Sequence, residues 1–101
     1  GERFAQRILC PNELDLFNKK NQSIPYLAKR FAAKEAASKA LGTGIGAISW
    51  QDMEISNDQN GAPILTLTGS AKEQMSSMGA SQISISLSDE QDYAVAFVVL
   101  S

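Results

Sequence analysis

Histidine is absent from the 101 residues of this chain. Imidazole is therefore excluded from every catalytic or metal-binding scheme, and the His-dependent triads of hydrolases go with it. Cysteine is nearly absent as well. The single Cys10 excludes an internal disulfide framework and suits a reducing compartment. Long apolar runs are missing: nothing approaches the roughly 20 residues of a membrane-spanning helix. The opening GERFAQRIL is charged and amphipathic rather than a signal peptide, so the expected location is cytoplasmic, away from any membrane. Surplus positive charge is also lacking, with nine Lys and Arg against eleven Asp and Glu and a net charge of −2. A basic field for nucleic acid is excluded, and any polyanion site must be local.

What remains is one small domain over residues 1–101, short enough to bury only about 60–70 % of the surface its unfolded chain exposes. Its first half is patterned for helices and its second half mostly for strands. Residues 2–9 carry Phe4, Ile8 and Leu9 at helical spacing, and Pro11 starts a second short helix with Leu14 and Phe17 on one face. Ser23 as N-cap, Pro25 in the first turn, and Gly42 and Gly44 as stops predict one long helix from Pro25 to Leu41. AISWQDMEI (47–55) and PILTLTG (63–69) read as the strands of a hairpin, turned at Asn60-Gly61. A short helix is expected within 70–79. QISISLS (82–88) alternates polar and apolar; YAVAFVVL (93–100) does not, which predicts a strand buried on both faces with a neighbour on each side. QISISLS supplies one neighbour, and the hairpin, another subunit or further chain would supply the other. The expected class is α+β, an antiparallel sheet packed on the long helix.

The long helix ends in FAAKEAASKALGTG (31–44). At 100° per residue Leu27, Phe31, Ser38 and Leu41 share a stripe with Lys34 inside it, and Glu35 flanks it with Lys39 one turn on. Ala28, Ala32 and Ala36 thin the helix around that pair. Spacing alone is satisfied by a solvated i,i+4 ion pair worth about 0.3–0.5 kcal/mol, by a snorkelling Lys34 and by a glycine C-cap. Arg3, Phe4 and Arg7 are likewise satisfied by a solvated helix face with a core Phe.

Taken together, RFAAKEAASKALGTGIG (30–46) resembles the signature of the phosphopantetheinyl transferase superfamily, in the form carried by bacterial holo-acyl-carrier-protein synthases. The resemblance extends through ERFAQRIL, NELDLF, NDQNGAPILTLTG and SISLSDEQDYAVAFVVL, nearly the whole chain. It implies the 4′-phosphopantetheinyl transferase fold of the trimer-forming type, with active sites between subunits. It also implies Mg²⁺-dependent transfer of the phosphopantetheine arm of coenzyme A to a serine of apo acyl carrier protein, releasing adenosine 3′,5′-bisphosphate, with fatty acid biosynthesis as the setting. By the same resemblance Glu35 ligates Mg²⁺ and helps deprotonate the serine, and Lys39 contacts the pyrophosphate beside the Gly42 backbone. Arg30 lies near the coenzyme A phosphates, Pro63 and its NGAP turn border the adenine, and Arg3, Phe4 and Arg7 dock the acidic carrier protein.

Two departures stand out. Asp89 occupies a position where many relatives carry histidine, and the Gly-x-Asp strand that supplies a second metal carboxylate in the family is missing. The expectation is a form of a longer chain that binds magnesium poorly and transfers slowly. A non-catalytic carrier-binding module and a purely structural interaction domain are the competing readings.

Overall fold

Pro11 and Pro25, each just inside a helix start, and Ser23 ahead of the second punctuate the helical half of the chain. The structure, a computed structural model, describes residues 2–42, 48–89 and 94–101; Gly44, Gly46, Ala47 and Tyr93 lie outside them, as does the side chain of Asp89. Helix α1 spans Glu2–Ile8, α2 Pro11–Lys19 and α3 Ile24–Ala40. The Ser23 hydroxyl accepts from the Tyr26 N–H at 3.4 Å, as an N-cap should. Between α2 and α3 the chain reverses through Asn21 and Gln22, both left-handed at φ +57°, and the Gln22 N–H closes the end of α2 on the Phe17 carbonyl at 2.8 Å.

The hairpin forms in the expected place, with β1 (Met53–Asn57) antiparallel to β2 (Pro63–Leu67) and Ile55 opposite Leu65. Its turn is held by the Asp58 carboxylate, which accepts from the N–H groups of Asn60 and Ala62 at 2.8 and 2.9 Å. The strand expected from residue 47 starts only at Met53. Trp50–Asp52 instead form a 3₁₀ turn, because Asp52 is drawn toward the next helix: its carboxylate accepts from the Ser70 hydroxyl at 2.7 Å and the Ser70 N–H at 3.2 Å. That helix, α4, spans Gly69–Ser77.

A second antiparallel ribbon pairs β3 (Ile83–Asp89) with β4 (Ala94–Leu100). It lies with β3 beside β2 and with α3 along β4. Ala33 and Ala37 of α3 are fully buried and let Ala96, Val98 and Leu100 come close, in a core shared with Leu41, Met53, Ile55, Leu65, Leu67, Ala71 and Met75. A second cluster gathers Ala5, Ile8, Leu9, Phe17, Tyr26 and Leu27, and Trp50 touches both. Within one chain β4 is covered on one face alone, and the hairpin does not supply its second neighbour: Phe97 and Val99 are 69 % and 61 % exposed. They stand opposite Ser86 and Ser84 on the face that α3 does not reach, and among the described residues β4 pairs with β3 alone.

Lys34 also departs from the sequence reading. It does not snorkel but is 0 % exposed. Its ammonium donates to Glu13 Oε1 at 2.6 Å, to the Ile8 carbonyl at 2.6 Å and to the Trp50 carbonyl at 3.3 Å. Glu13, equally buried, accepts in addition from the Cys10 N–H that precedes α2 and from the Ile55 N–H of β1, both at 2.8 Å. The Cys10 thiol points into the same place and donates to the Gln51 carbonyl at 3.3 Å. Burial is the main cause that pushes this thiol up to about 11, opposed by the Lys34 charge.

Two outcomes follow from this cluster. Replacing Lys34 by Met keeps the stem but strands the Glu13 carboxylate, and should cost about 3–5 kcal/mol in urea unfolding; a loss below about 1 kcal/mol would show that the charge is not held by this pair. For Cys10 the folded value is the raised one, so the native state keeps its thiol below the ordinary value of 9.0 and loses that contribution to stability as pH rises from there to about 11. At pH 8 iodoacetamide should therefore label the native chain at least about a hundredfold more slowly than the urea-unfolded chain; equal rates would contradict the burial.

Candidate active site

Helix α3 orients the site because its inner face is fixed first. With Lys34 turned inward, the next residue points about 100° away, and Glu35 is exposed, with Lys39 exposed one turn on. The ion pair that spacing alone suggested does not form. Among the described residues neither the Glu35 carboxylate nor the Lys39 ammonium has an ion-pair or hydrogen-bond partner. Ser38, between them and buried, donates its hydroxyl to the Glu35 carbonyl at 2.8 Å, a back-bond that shapes the helix where both side chains leave it. Of the flanking alanines, Ala28 is exposed and Ala32 and Ala36 are half-buried, so the outer side of α3 stays low around Glu35.

Gly42 ends the helix at φ +76°, and its N–H donates to the Lys39 carbonyl at 3.0 Å. Among the described residues no atom beyond its chain neighbours lies within 4 Å of where a Cβ would stand, so glycine is needed there for its left-handed backbone.

A cleft of about 310 Å³ opens elsewhere, lined among others by Lys20, Tyr26, Lys29, Arg30, Gly61 and Pro63. Two residues expected to handle coenzyme A, Arg30 and Pro63, thus meet in one place. Arg30 is less free than expected. Its guanidinium lies over the Tyr26 ring at 4.7 Å, Nη2 donates to Asn57 Oδ1 at 3.4 Å, and Nε sits 3.8 Å from Glu13 Oε2. That Nε is buried without a hydrogen-bond partner among the described residues. Burial raises the Tyr26 phenol above its usual value, against the lowering effect of Arg30, so the ring is a neutral platform carrying cations: Lys20 stands over it at 6.0 Å.

Glu35, Lys39 and Gly42 do not line the cleft. Helical geometry gives the reason. Glu35 is rotated about 140° from Arg30 around α3, and Lys39 about 180°. Within one chain the two halves of the expected site face apart.

Arg3 and Arg7 are exposed on α1, one turn apart. Phe4, 39 % exposed, leans on Phe31 of α3 at 5.4 Å, and Phe31 leans on Trp50 at 5.3 Å. Phe4 is therefore a partly exposed side chain rather than a core residue. Sequence reasoning missed Glu13, Tyr26 and Lys20. Glu13 had a legible signal, since it stands third in α2 after Cys10 and Pro11, the reach-back position of a capping box. Among the described residues no three carboxylate or thiol groups converge, and no helix is long and apolar enough to cross a membrane.

Comparison with known proteins gives the family. Residues 1–98 match the profile of the 4′-phosphopantetheinyl transferase superfamily. A holo-[acyl-carrier-protein] synthase of Shewanella piezotolerans is 54 % identical over 97 % of this chain and 76 % of its own length. The crystal structure of the Neisseria meningitidis holo-[acyl-carrier-protein] synthase superposes with a TM-score of 0.90 at 45 % identity, covering 100 % of this chain and 82 % of the other. That of the Helicobacter pylori enzyme in complex with coenzyme A superposes with a TM-score of 0.82 at 39 % identity, over 98 % and 82 %. The chain belongs to the 4′-phosphopantetheinyl transferase superfamily.

Proposed function

We infer that residues 1–101 act as a single transferase domain that moves the 4′-phosphopantetheine arm of coenzyme A to a serine of apo acyl carrier protein. The observation that carries this reading, beyond family membership, is the unpaired Glu35 and Lys39 on the outer face of α3, within the family's Lys-Glu-Ala-x-x-Lys run. Exposed charges one turn apart occur on any solvated helix and add little to stability, but within that run an unpaired carboxylate and ammonium are both free to meet a substrate. A carrier-binding module without transfer activity would need only Arg3, Phe4 and Arg7.

The serine oxygen bonds to the pantetheine-bearing phosphorus as the bond from that phosphorus to the bridging oxygen of the pyrophosphate breaks, so negative charge grows on the oxygen that leaves with adenosine 3′,5′-bisphosphate. Lys39 is placed to meet that charge. Glu35 accepts the serine proton, directly or through one water. The donor set fits magnesium in part: Glu35 would hold the ion with substrate phosphates and water, a single-carboxylate site of the weak kind expected from the sequence. When bound, magnesium neutralises charge on the pyrophosphate. Lys20, Lys29 and Arg30 at the cleft suit the remaining phosphate of coenzyme A, with Tyr26 and the Gly61 to Pro63 turn beside the adenosine. Since Arg30 and Glu35 face apart on α3, one coenzyme A reaches both sets when the cleft of one copy lies against the Glu35 face of another. The uncovered Phe97 and Val99 of β4 support such an assembly, a homotrimer by resemblance. Free Cys10 suits the cytoplasm.

Glu35→Gln should lower magnesium-dependent transfer by at least about a hundredfold while the circular dichroism spectrum and melting temperature stay put; rates like the wild type would defeat the assignment. Lys39→Ala should lose far more in kcat than the few tenths of a kcal/mol it costs the helix, and a kinetic loss that only tracks stability would return it to the surface. In a separate test, Arg3→Glu with Arg7→Glu should raise KM for the carrier protein and blunt its salt dependence, leaving KM for coenzyme A nearly unchanged. Equal effects on both substrates would count against docking there.

A further inference from the structure

Helix α1 is only seven residues long, too short to hold its own direction by internal hydrogen bonds. The carbonyls of its last turn need partners from outside. They find two, one from α3 and one from the 3₁₀ turn. Lys34 Nζ donates to the Ile8 carbonyl at 2.6 Å, and Lys34 is the chain neighbour of Glu35. Gln51 Nε2, from the 3₁₀ turn, donates to the Gln6 carbonyl at 3.1 Å and the Leu9 carbonyl at 3.4 Å. The Phe4–Phe31–Trp50 stack joins the same three elements through their side chains. Gln51 is exposed and packs no core, yet its side chain bridges two carbonyls more than 40 residues away in sequence, so what it fixes is the end of α1.

We propose that Gln51 is a positioning residue of the transfer: together with Lys34 it clamps the C-terminal end of α1, and so sets where the docked carrier protein stands relative to Glu35. The inference rests on the docking role of Arg3, Phe4 and Arg7. Gln51 touches neither substrate; it acts through the direction of α1. A carrier held by two arginines one turn apart on a short helix delivers its serine only as accurately as that helix is aimed.

Gln51→Met tests this, because it keeps length and removes the donors without adding charge, at an exposed position where folding survives. Two readouts are taken on the full chain: steady-state kinetics with apo carrier protein and coenzyme A, and hydrogen exchange of the free protein. Expected are a fall in kcat/KM for the carrier of about three- to tenfold, carried mainly by kcat and on the scale of one neutral hydrogen bond, an unchanged KM for coenzyme A, an unchanged salt slope, and faster exchange confined to residues 2–9. Faster exchange without a change in kcat/KM reduces Gln51 to a structural cap and overturns the proposal. A raised carrier KM with unchanged kcat and unchanged exchange means direct contact with the carrier and overturns it too. If Arg3→Glu with Arg7→Glu leaves the carrier KM unmoved, the docking reading falls and the positioning role falls with it; if those variants act and Gln51→Met does not, the clamp alone falls.

Discussion

A carboxylate and an ammonium sealed together at the centre of a 101-residue chain govern the rest of the structure. Taking two charges out of water costs several kcal/mol for each, and attraction offsets that only when the remaining lone pairs and protons are also satisfied. Here they are. Glu13 receives Cys10 N–H, Ile55 N–H and Lys34; Lys34 gives to Glu13, Ile8 and Trp50. The start of α2, the end of α1, the middle of α3, the 3₁₀ turn and β1 are thereby required to meet at one point. An apolar core is tolerant of small shifts, but this junction is not, because each displaced element would leave a buried polar group alone.

The chemistry is oriented by the same constraint. Turning Lys34 inward turns Glu35 outward, and the back-bonded Ser38 and the left-handed Gly42 shape the helix on which Lys39 stands. Arg30, one turn before Lys34, is drawn toward Glu13 and stacked on Tyr26, which commits it to the cleft side. The separation of Arg30 from Glu35 and Lys39 follows from their spacing along α3; the buried pair decides which way each of them faces, and on the proposed function a contact between copies gathers all three on one substrate.

The outer surface of the second ribbon fits that view. β4 is apolar on both faces, yet α3 covers only the one carrying Ala96, Val98 and Leu100. Phe97 and Val99 stand across from serines on the other face, an arrangement of large apolar side chains beside small polar ones that a second surface could cover without clashes.

Local signals were enough for much of this. Ser23, Pro25 and Gly42 bound α3 to within a residue or two because caps act through neighbouring backbone groups; Asn60 and Gly61 placed the hairpin turn; the alternation of Ile83, Ile85 and Leu87 with serines told the inner face of β3 from the outer. The Lys-Glu-Ala-x-x-Lys run identified the family, and the identity of Glu35 and Lys39 as site candidates came with it. Other features depend on partners far away in the chain. Lys34 is buried because Glu13 lies 21 residues before it, and no periodicity reveals that. Trp50 to Asp52 leave the strand because Ser70 claims Asp52. Lys20 and Tyr26 join Pro63 at a cleft that exists only once α2, α3 and the hairpin are packed together. Residue type and local spacing determined which groups this protein has for its chemistry; which of them are sealed, which stand free and which face apart was decided by long-range pairing, since burial of a charge is a property of the packed whole and not of any one segment.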